Sequence, residues 1–159
     1  LALRNDYASR FADPRQVTPY TYAESPVTVG DDADFSAGPM PGAPLINRRL
    51  GENNFLLDHL GTGFNLLVFI EDGSVTPELQ ATLADLQEHY RGLDVLVIAR
   101  HASTAFFTTL IDQQGACFDG YDASSGSAYL VRPDRHITAR WKALDVASLS
   151  NAFKTALGE

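Results

Sequence analysis

Two apolar runs, Asn65 to Ile70 and Leu93 to Ala99, constrain the fold of this chain more than any other feature in it. Each has the length of a strand and lacks the alternation of a half-exposed one, so both suit a sheet covered on its two faces. Between them, Thr76-Pro77-Glu78 offers a capping hydroxyl, a proline for the first helical position and an acid for the positive helix end. Leu79, Leu83, Leu86 and Tyr90 then recur at helical spacing, and Gly92 ends the segment. A strand, helix, strand unit strongly prefers a right-handed parallel crossover. The two runs are therefore expected to be parallel central strands, with Leu67 and Val97 buried.

The C-terminal half reads as a hairpin and a closing helix. Ala128 to Val131 and His136 to Trp141 are β-prone and flank the turn Arg132-Pro133-Asp134-Arg135, so they are expected to pair antiparallel. Arg132 and Asp134 are expected to organise that turn through a surface ion pair worth well under ~1 kcal/mol. Trp141 is expected to pack the sheet against the closing helix. That helix is capped by Asp145, carries Val146, Leu149, Phe153 and Leu157 at helical spacing, and stops at Gly158. Upstream, Asn54 to Leu60 suggests a short helix with Gly61 as its left-handed cap. Periodicity leaves Phe106 to Ile111 open between a strand and a short helix. The order is βαβ, then ββα, and the class is α/β.

The texture changes near Pro44. From Asp13 onward, Pro14, Pro19, Pro26, Pro39, Pro41 and Pro44 remove donors and fix φ, which makes this segment an extended strap. Its composition predicts little intrinsic structure, so its order is expected to come from packing on a preceding domain or a second chain. A net charge of -8 argues against a nucleic-acid partner, because phosphate neutralisation needs clustered Lys and Arg. No run approaches the ~18 to 20 apolar residues of a membrane span, and no secretory pattern opens the chain, so cytoplasm is the expected compartment.

The stretch Leu56 to Phe69, read with Ala128 to Trp141, resembles the C-terminal domain of FAD-dependent aromatic-ring hydroxylases, the phenol hydroxylase-like class A flavoprotein monooxygenases. The blocks that carry this are Leu-Leu-Asp-x-Leu-Gly-x-Gly-Phe from Leu56 to Phe64, Tyr121-Asp122-Ala123, and Leu130 to Asp134. The likeness covers roughly Gly42 to Gly158. It implies a thioredoxin-like domain over residues 44–159, with 1–43 forming the end of a preceding flavin and substrate region plus the strap. It also implies a non-catalytic structural and interaction role, with the upstream FAD and substrate domains of the same polypeptide as partners and homodimer contacts as a further use. FAD and NAD(P)H would serve the parent, a monooxygenase of phenolic substrates. The chain begins at Leu1 without Met, and is expected to be a piece of that parent.

A thioredoxin-like fold raises a redox alternative, an independent thioredoxin-like or one-cysteine peroxidase-like protein using Cys117. Redox members place Cys-x-x-Cys after the first core strand. Here that position reads Glu71-Asp72-Gly73-Ser74-Val75-Thr76-Pro77, and Gly126-Ser127-Ala128 replaces the proline expected before the third core strand. The single Cys117 cannot form an intrachain disulfide. It has no adjacent cation and has Asp119 two residues on, which predicts an inert, partly buried thiol and near-neutral folding for Cys117→Ser.

No catalytic, cofactor-binding or metal-ligating residue is expected. His59, His89, His101 and His136 lack ligand spacing and suit surface or boundary positions. Ser124-Ser125-Gly126 suits a turn, without the G-x-S-x-G elbow. Gly61-Thr62-Gly63 precedes a strand, so it is no dinucleotide fingerprint, and Gly30-Asp31 lies in the strap without a role.

Overall fold

The computed structural model describes residues 21–29, 31–32, 34–72, 75–101 and 107–158. A small hairpin of β1 (Arg49–Gly51) and β2 (Asn54–Phe55) leads into a 3-10 turn at Leu56–His59. Then come β3 (Phe64–Phe69), α1 (Pro77–His89), β4 (Leu93–Ala99), β5 (Thr108–Ile111) and α2 (Ala116–Gly120). The hairpin β6 (Ala128–Val131) and β7 (Ile137–Trp141) and the helix α3 (Val146–Leu157) close the fold.

One mixed sheet in the order β5-β4-β3-β6-β7 organises these elements. The two apolar runs pair in parallel, Leu67 opposite Leu96 and Val68 opposite Val97. The hairpin pairs antiparallel and lies against β3, Tyr129 standing opposite both Leu67 and Arg140. These directions agree with the expectations from the two apolar runs and the hairpin, and Leu67 and Val97 are fully buried.

Because strand side chains alternate, each central strand feeds two apolar layers. Leu66, Val68, Val95 and Val97 face α1 and α3, where Leu83, Leu86, Leu149 and Phe153 meet them. Leu67, Phe69, Leu96 and Ile98 face the other way, toward Phe118 and Tyr121 around α2 and toward Leu50 and Leu56. Trp141 packs at the border of the α1 and α3 layer, partly buried.

The helix termini follow their sequence signals. Thr76 accepts from the Leu79 amide at 3.3 Å, Pro77 opens α1, and Asp145 accepts from the Ser148 amide at 2.8 Å. Gly158 takes a left-handed φ of 78° where α3 ends.

Several expectations fail, each for a tertiary reason. The short helix expected over Asn54 to Leu60 is confined to a 3-10 helix at Leu56–His59. The Leu56 amide donates to the Arg48 carbonyl at 2.8 Å and the Leu57 amide to Asn47 Oδ1 at 3.1 Å, which ties this segment back to β1. Gly61 is not a left-handed cap either, being absent from the positive-φ glycines among the described residues. It is small because the Asp94 carboxylate lies where a Cβ would stand, 1.7 Å away. In α3, Val146 and Leu157 are exposed, because only the central turns lie over the sheet. The open segment becomes a strand from Thr108, Phe106 lying outside the described residues. The short α2 had no periodic signal, being one turn long.

Candidate functional site

In a redox protein of this topology the chemistry would sit between β3 and α1. There the chain presents Glu71 and Asp72, both exposed, beside His101 and Ser125 in an open cleft. The Ser125 hydroxyl accepts from the Glu71 amide at 3.2 Å, and Arg100 Nε stands 3.6 Å from Glu71 Oε1. Arg100 also lies 3.8 Å from Asp119 and 4.7 Å above the Phe118 ring, so it ties this end of the sheet to α2. None of the described groups here is a thiol.

Cys117 lies on the other side, in α2, with no exposed surface. Burial pushes its thiol up to about 12, and the nearby Asp112 carboxylate adds to the shift. Asp112 rather than Asp119 is the acid that matters. Its Oδ2 accepts the Cys117 and Phe118 amides at 2.8 and 3.0 Å, which caps α2 from five residues upstream. The thiol is thus fully buried, beyond the partial burial expected. A thiol at that value carries almost no thiolate near neutrality, and its burial denies a peroxide access.

Among the described residues a dense polar constellation lies elsewhere, where the strap crosses β6 and β7. Arg140 projects from β7 and is 4 % exposed. Its Nε donates to Asp31 Oδ1 at 2.6 Å and its Nη2 to Asp31 Oδ2 at 2.7 Å, a bidentate pair of the kind only a planar guanidinium makes. Its Nη1 donates to the Ala37 and Pro39 carbonyls at 2.7 and 3.3 Å. Phe35 lies beneath, with the guanidinium 4.4 Å and Lys142 Nζ 4.5 Å from its ring centre, and meets Tyr129 edge-on at 5.5 Å.

The recognition runs in both directions. From the strap, Asp32 Oδ2 accepts the Lys142 amide at 2.9 Å. From the domain, Asp122 Oδ2 accepts the Ser36 and Ala37 amides at 2.8 and 3.1 Å and stands 3.2 Å from Lys142 Nζ. These contacts, led by the Ser36 amide, hold the Asp122 carboxyl down at about 2, and the Lys142 amide leads the lowering at Asp32. Gly38 sits under this crossing with φ 77°. A Cβ there would meet the Tyr121 carbonyl at 2.7 Å, so the strap lies flush against the domain.

Strap backbone completes the β7 edge. The Val29 amide donates to the Thr138 carbonyl at 2.9 Å, the Gly42 amide to the Ile137 carbonyl at 2.7 Å and the Ile137 amide to the Ala43 carbonyl at 2.9 Å. The described part of the strap therefore packs on its own domain. Such cover also protects an edge strand. The strap and the domain thus meet through carboxylates, a guanidinium and an aromatic ring.

The remaining sequence candidates do not converge on a site. His59, His89 and His101 are exposed and His136 is partly buried. Among the described residues no group of three or more His, Cys, Asp or Glu is placed to hold a metal. Ser124 to Gly126 form the expected turn, with the Ser127 amide donating to the Ser124 carbonyl at 3.0 Å. Arg132 and Asp134 pair across the hairpin turn as expected, Nε to Oδ1 at 3.1 Å. Gly61 and Gly63 do not fit a flavin pyrophosphate. Asn65 Oδ1 already occupies the Gly61 amide at 2.9 Å and the Asp94 carboxylate lies beside it. Asp31, set aside as roleless, proves central. Its signal was the acidic cluster Asp31, Asp32 and Asp34 beside Phe35, with two cations, Arg140 and Lys142, at and just past the end of a strand.

No protein-family model matches the sequence, and no curated protein does. Solved structures do share the fold. RebC-10x, in native and K252c-bound form, superposes at a TM-score of 0.63 with 24% identity over 99% of this chain and 27% of its own. Rebeccamycin biosynthetic enzyme RebC with reduced flavin gives 0.62 and 23% over 93% of this chain and 24% of its own. Aklavinone-11 hydroxylase, in a ternary complex with FAD and aklavinone, gives 0.64 and 19% over 94% of this chain and 28% of its own. This chain has the fold of one segment of such proteins. It spans about 27% of the length of RebC-10x.

Proposed function

We propose that this chain is the non-catalytic, thioredoxin-like C-terminal domain of an FAD- and NAD(P)H-dependent aromatic-ring hydroxylase acting on phenolic substrates. The observation that carries the reading is the extent of the likeness, which covers 99% of this chain and 27% of RebC-10x. Two further features support it. The blocks at Leu56 to Phe64 and Leu130 to Asp134 sit at the start of β3 and around the hairpin turn, where they build the fold. The one thiol is buried and protonated, which leaves the peroxidase-like alternative without a reactive group.

In this reading the domain boundary lies near Pro44, FAD and NAD(P)H are held by the upstream domains, and those domains are its partners, with homodimer contacts a further use of its surface. The compartment is the cytoplasm, and no nucleic acid or membrane is engaged. No helix among the described residues is long and apolar enough to cross a membrane.

Sequencing the coding region upstream of Leu1 tests the proposal. A G-x-G-x-x-G dinucleotide domain in frame is the expected result, and a start codon immediately before Leu1 would sink it. Flavin titration gives a second readout: the purified chain should not quench FAD fluorescence saturably, and micromolar binding would move the cofactor site into this domain.

A further inference from the structure

We propose that Arg140 on β7, Lys142 just beyond its end and Asp122 form a peptide-recognition site whose ligand is the described part of the strap, so that this part docks and releases as one unit on a sheet that stays folded. Whatever is attached ahead of the strap is thereby held to this domain by recognition as well as by chain continuity. The proposal stands apart from the flavoprotein reading, which concerns the identity of that upstream part.

Three observations carry it. The Arg140 guanidinium makes four hydrogen bonds to the strap, two to the Asp31 carboxylate and two to the Ala37 and Pro39 carbonyls. A fork saturated by side chain and backbone of one short segment specifies both charge and an extended conformation. Reciprocally, Asp122 takes the Ser36 and Ala37 amides, so strap donors and acceptors are both read. Phe35 supplies the anchor, a ring held between two cations and Tyr129, as buried aromatics anchor protein interfaces.

The segment is also built to dock at low entropic cost. Pro39 and Pro41 restrict the free strap, so less freedom is lost on binding. Against these contacts the described backbone pairing of the Asp31 to Gly38 portion with β7 is sparse, the Val29 amide to the Thr138 carbonyl lying just ahead of it. The side-chain site, rather than a continuous ladder, holds that portion down. The chemistry recognised is an extended acidic and aromatic peptide: adjacent carboxylates, a phenyl ring three to four residues on, then two free amides.

The experiment is residue-resolved hydrogen exchange on the full chain, followed by peptide binding. In the wild-type chain the Val29, Ser36 and Ala37 amides should be protected and open at a common rate faster than Leu67 and Val97. In Asp31→Asn with Phe35→Ala, strap protection should fall by about tenfold or more while Leu67 and Val97 are unaffected. That strap-weakened chain should bind a synthetic peptide of residues 21–44 saturably, and adding Arg140→Met should abolish binding. If Arg140→Met does not fold, Arg140→Lys replaces it, keeping the charge without the fork, with the same loss expected. Strap amides that open only together with Leu67 would overturn the proposal. So would a folded strap-weakened chain that fails to bind at millimolar peptide, or that binds equally well without the guanidinium.

Discussion

Arg140 and Asp31, 109 residues apart in sequence, meet through two hydrogen bonds of 2.6 and 2.7 Å, with the arginine 4 % and the aspartate side chain 39 % exposed. This asymmetry sets the energetics. Breaking a fully buried pair costs roughly 3 to 5 kcal/mol and an exposed one at most about 1. Asp31→Asn leaves a shielded guanidinium with a weaker acceptor that water also reaches, so a loss of about 1 kcal/mol is expected in urea unfolding. Arg140→Met should lose more, about 1 to 3 kcal/mol, because the Ala37 and Pro39 carbonyls lose their donor as well.

Cys117 should be silent in the native protein. With the thiol at about 12 and no exposed surface, iodoacetamide at pH 8 is expected to label it only after denaturation. The same burial revises the near-neutral expectation for Cys117→Ser. A hydroxyl in this apolar layer costs roughly 1 to 3 kcal/mol, readable as a lower urea midpoint, and labelling of the folded chain would contradict the burial.

Leu67 and Val97 point into opposite apolar layers and are both fully buried. Truncating either to Ala should cost roughly 2 to 4 kcal/mol from lost transfer energy and cavity formation. Glu88→Gln on the exposed side of α1 should stay within about 0.5 kcal/mol. Chemical denaturation of the three variants gives the comparison directly.

Acid should release the strap first. Asp122 and Asp32 both ionise below the usual carboxylate range when folded, Asp122 at about 2. A lowered folded value contributes stability that is fully present above the unfolded value of ~3.9 and is lost as pH falls toward the folded one. The charged groups that face them are Arg140 and Lys142, and Asp31 shares the site. Strap amides should therefore lose protection between about pH 4 and 2, and Asp122→Asn should flatten that dependence.

Gly63 and Gly61 should respond unequally to Ala. A Cβ at Gly63 would meet the Gly92 carbonyl oxygen at 2.1 Å, a backbone atom that cannot move alone. At Gly61 the obstacle is the end of the Asp94 side chain, which can swing aside. Thermal unfolding should show Gly63→Ala the more destabilised, by about 1 to 3 kcal/mol of strain.

The strands, their directions, the capped α1 and the turn at Arg132 were legible because each is written locally, in a period, a cap or a breaker. The short helix expected from Asn54 to Leu60 forms only as a 3-10 helix at Leu56–His59, a limit that the spacing of Phe55, Leu56, Leu57 and Leu60 does not carry. The competing acceptors, the Arg48 carbonyl and the Asn47 side chain, act only once β1 and β2 fold back on each other. The acid that bears on Cys117 is Asp112 rather than Asp119, because Asp112 reaches it through the geometry of α2 rather than by adjacency.

By itself, then, the sequence determined the alternating architecture and the lack of a dithiol, because periodicity and composition act over a few residues and do not depend on what lies opposite. Tertiary structure alone decided the place of the strap. Among the described residues the partners of Asp31, Phe35 and Asp122 are distant in sequence, Arg140 lying more than a hundred residues beyond Asp31. Only closure of the sheet carries β7 beneath the strap and puts that guanidinium where desolvation makes two hydrogen bonds to one carboxylate worth forming.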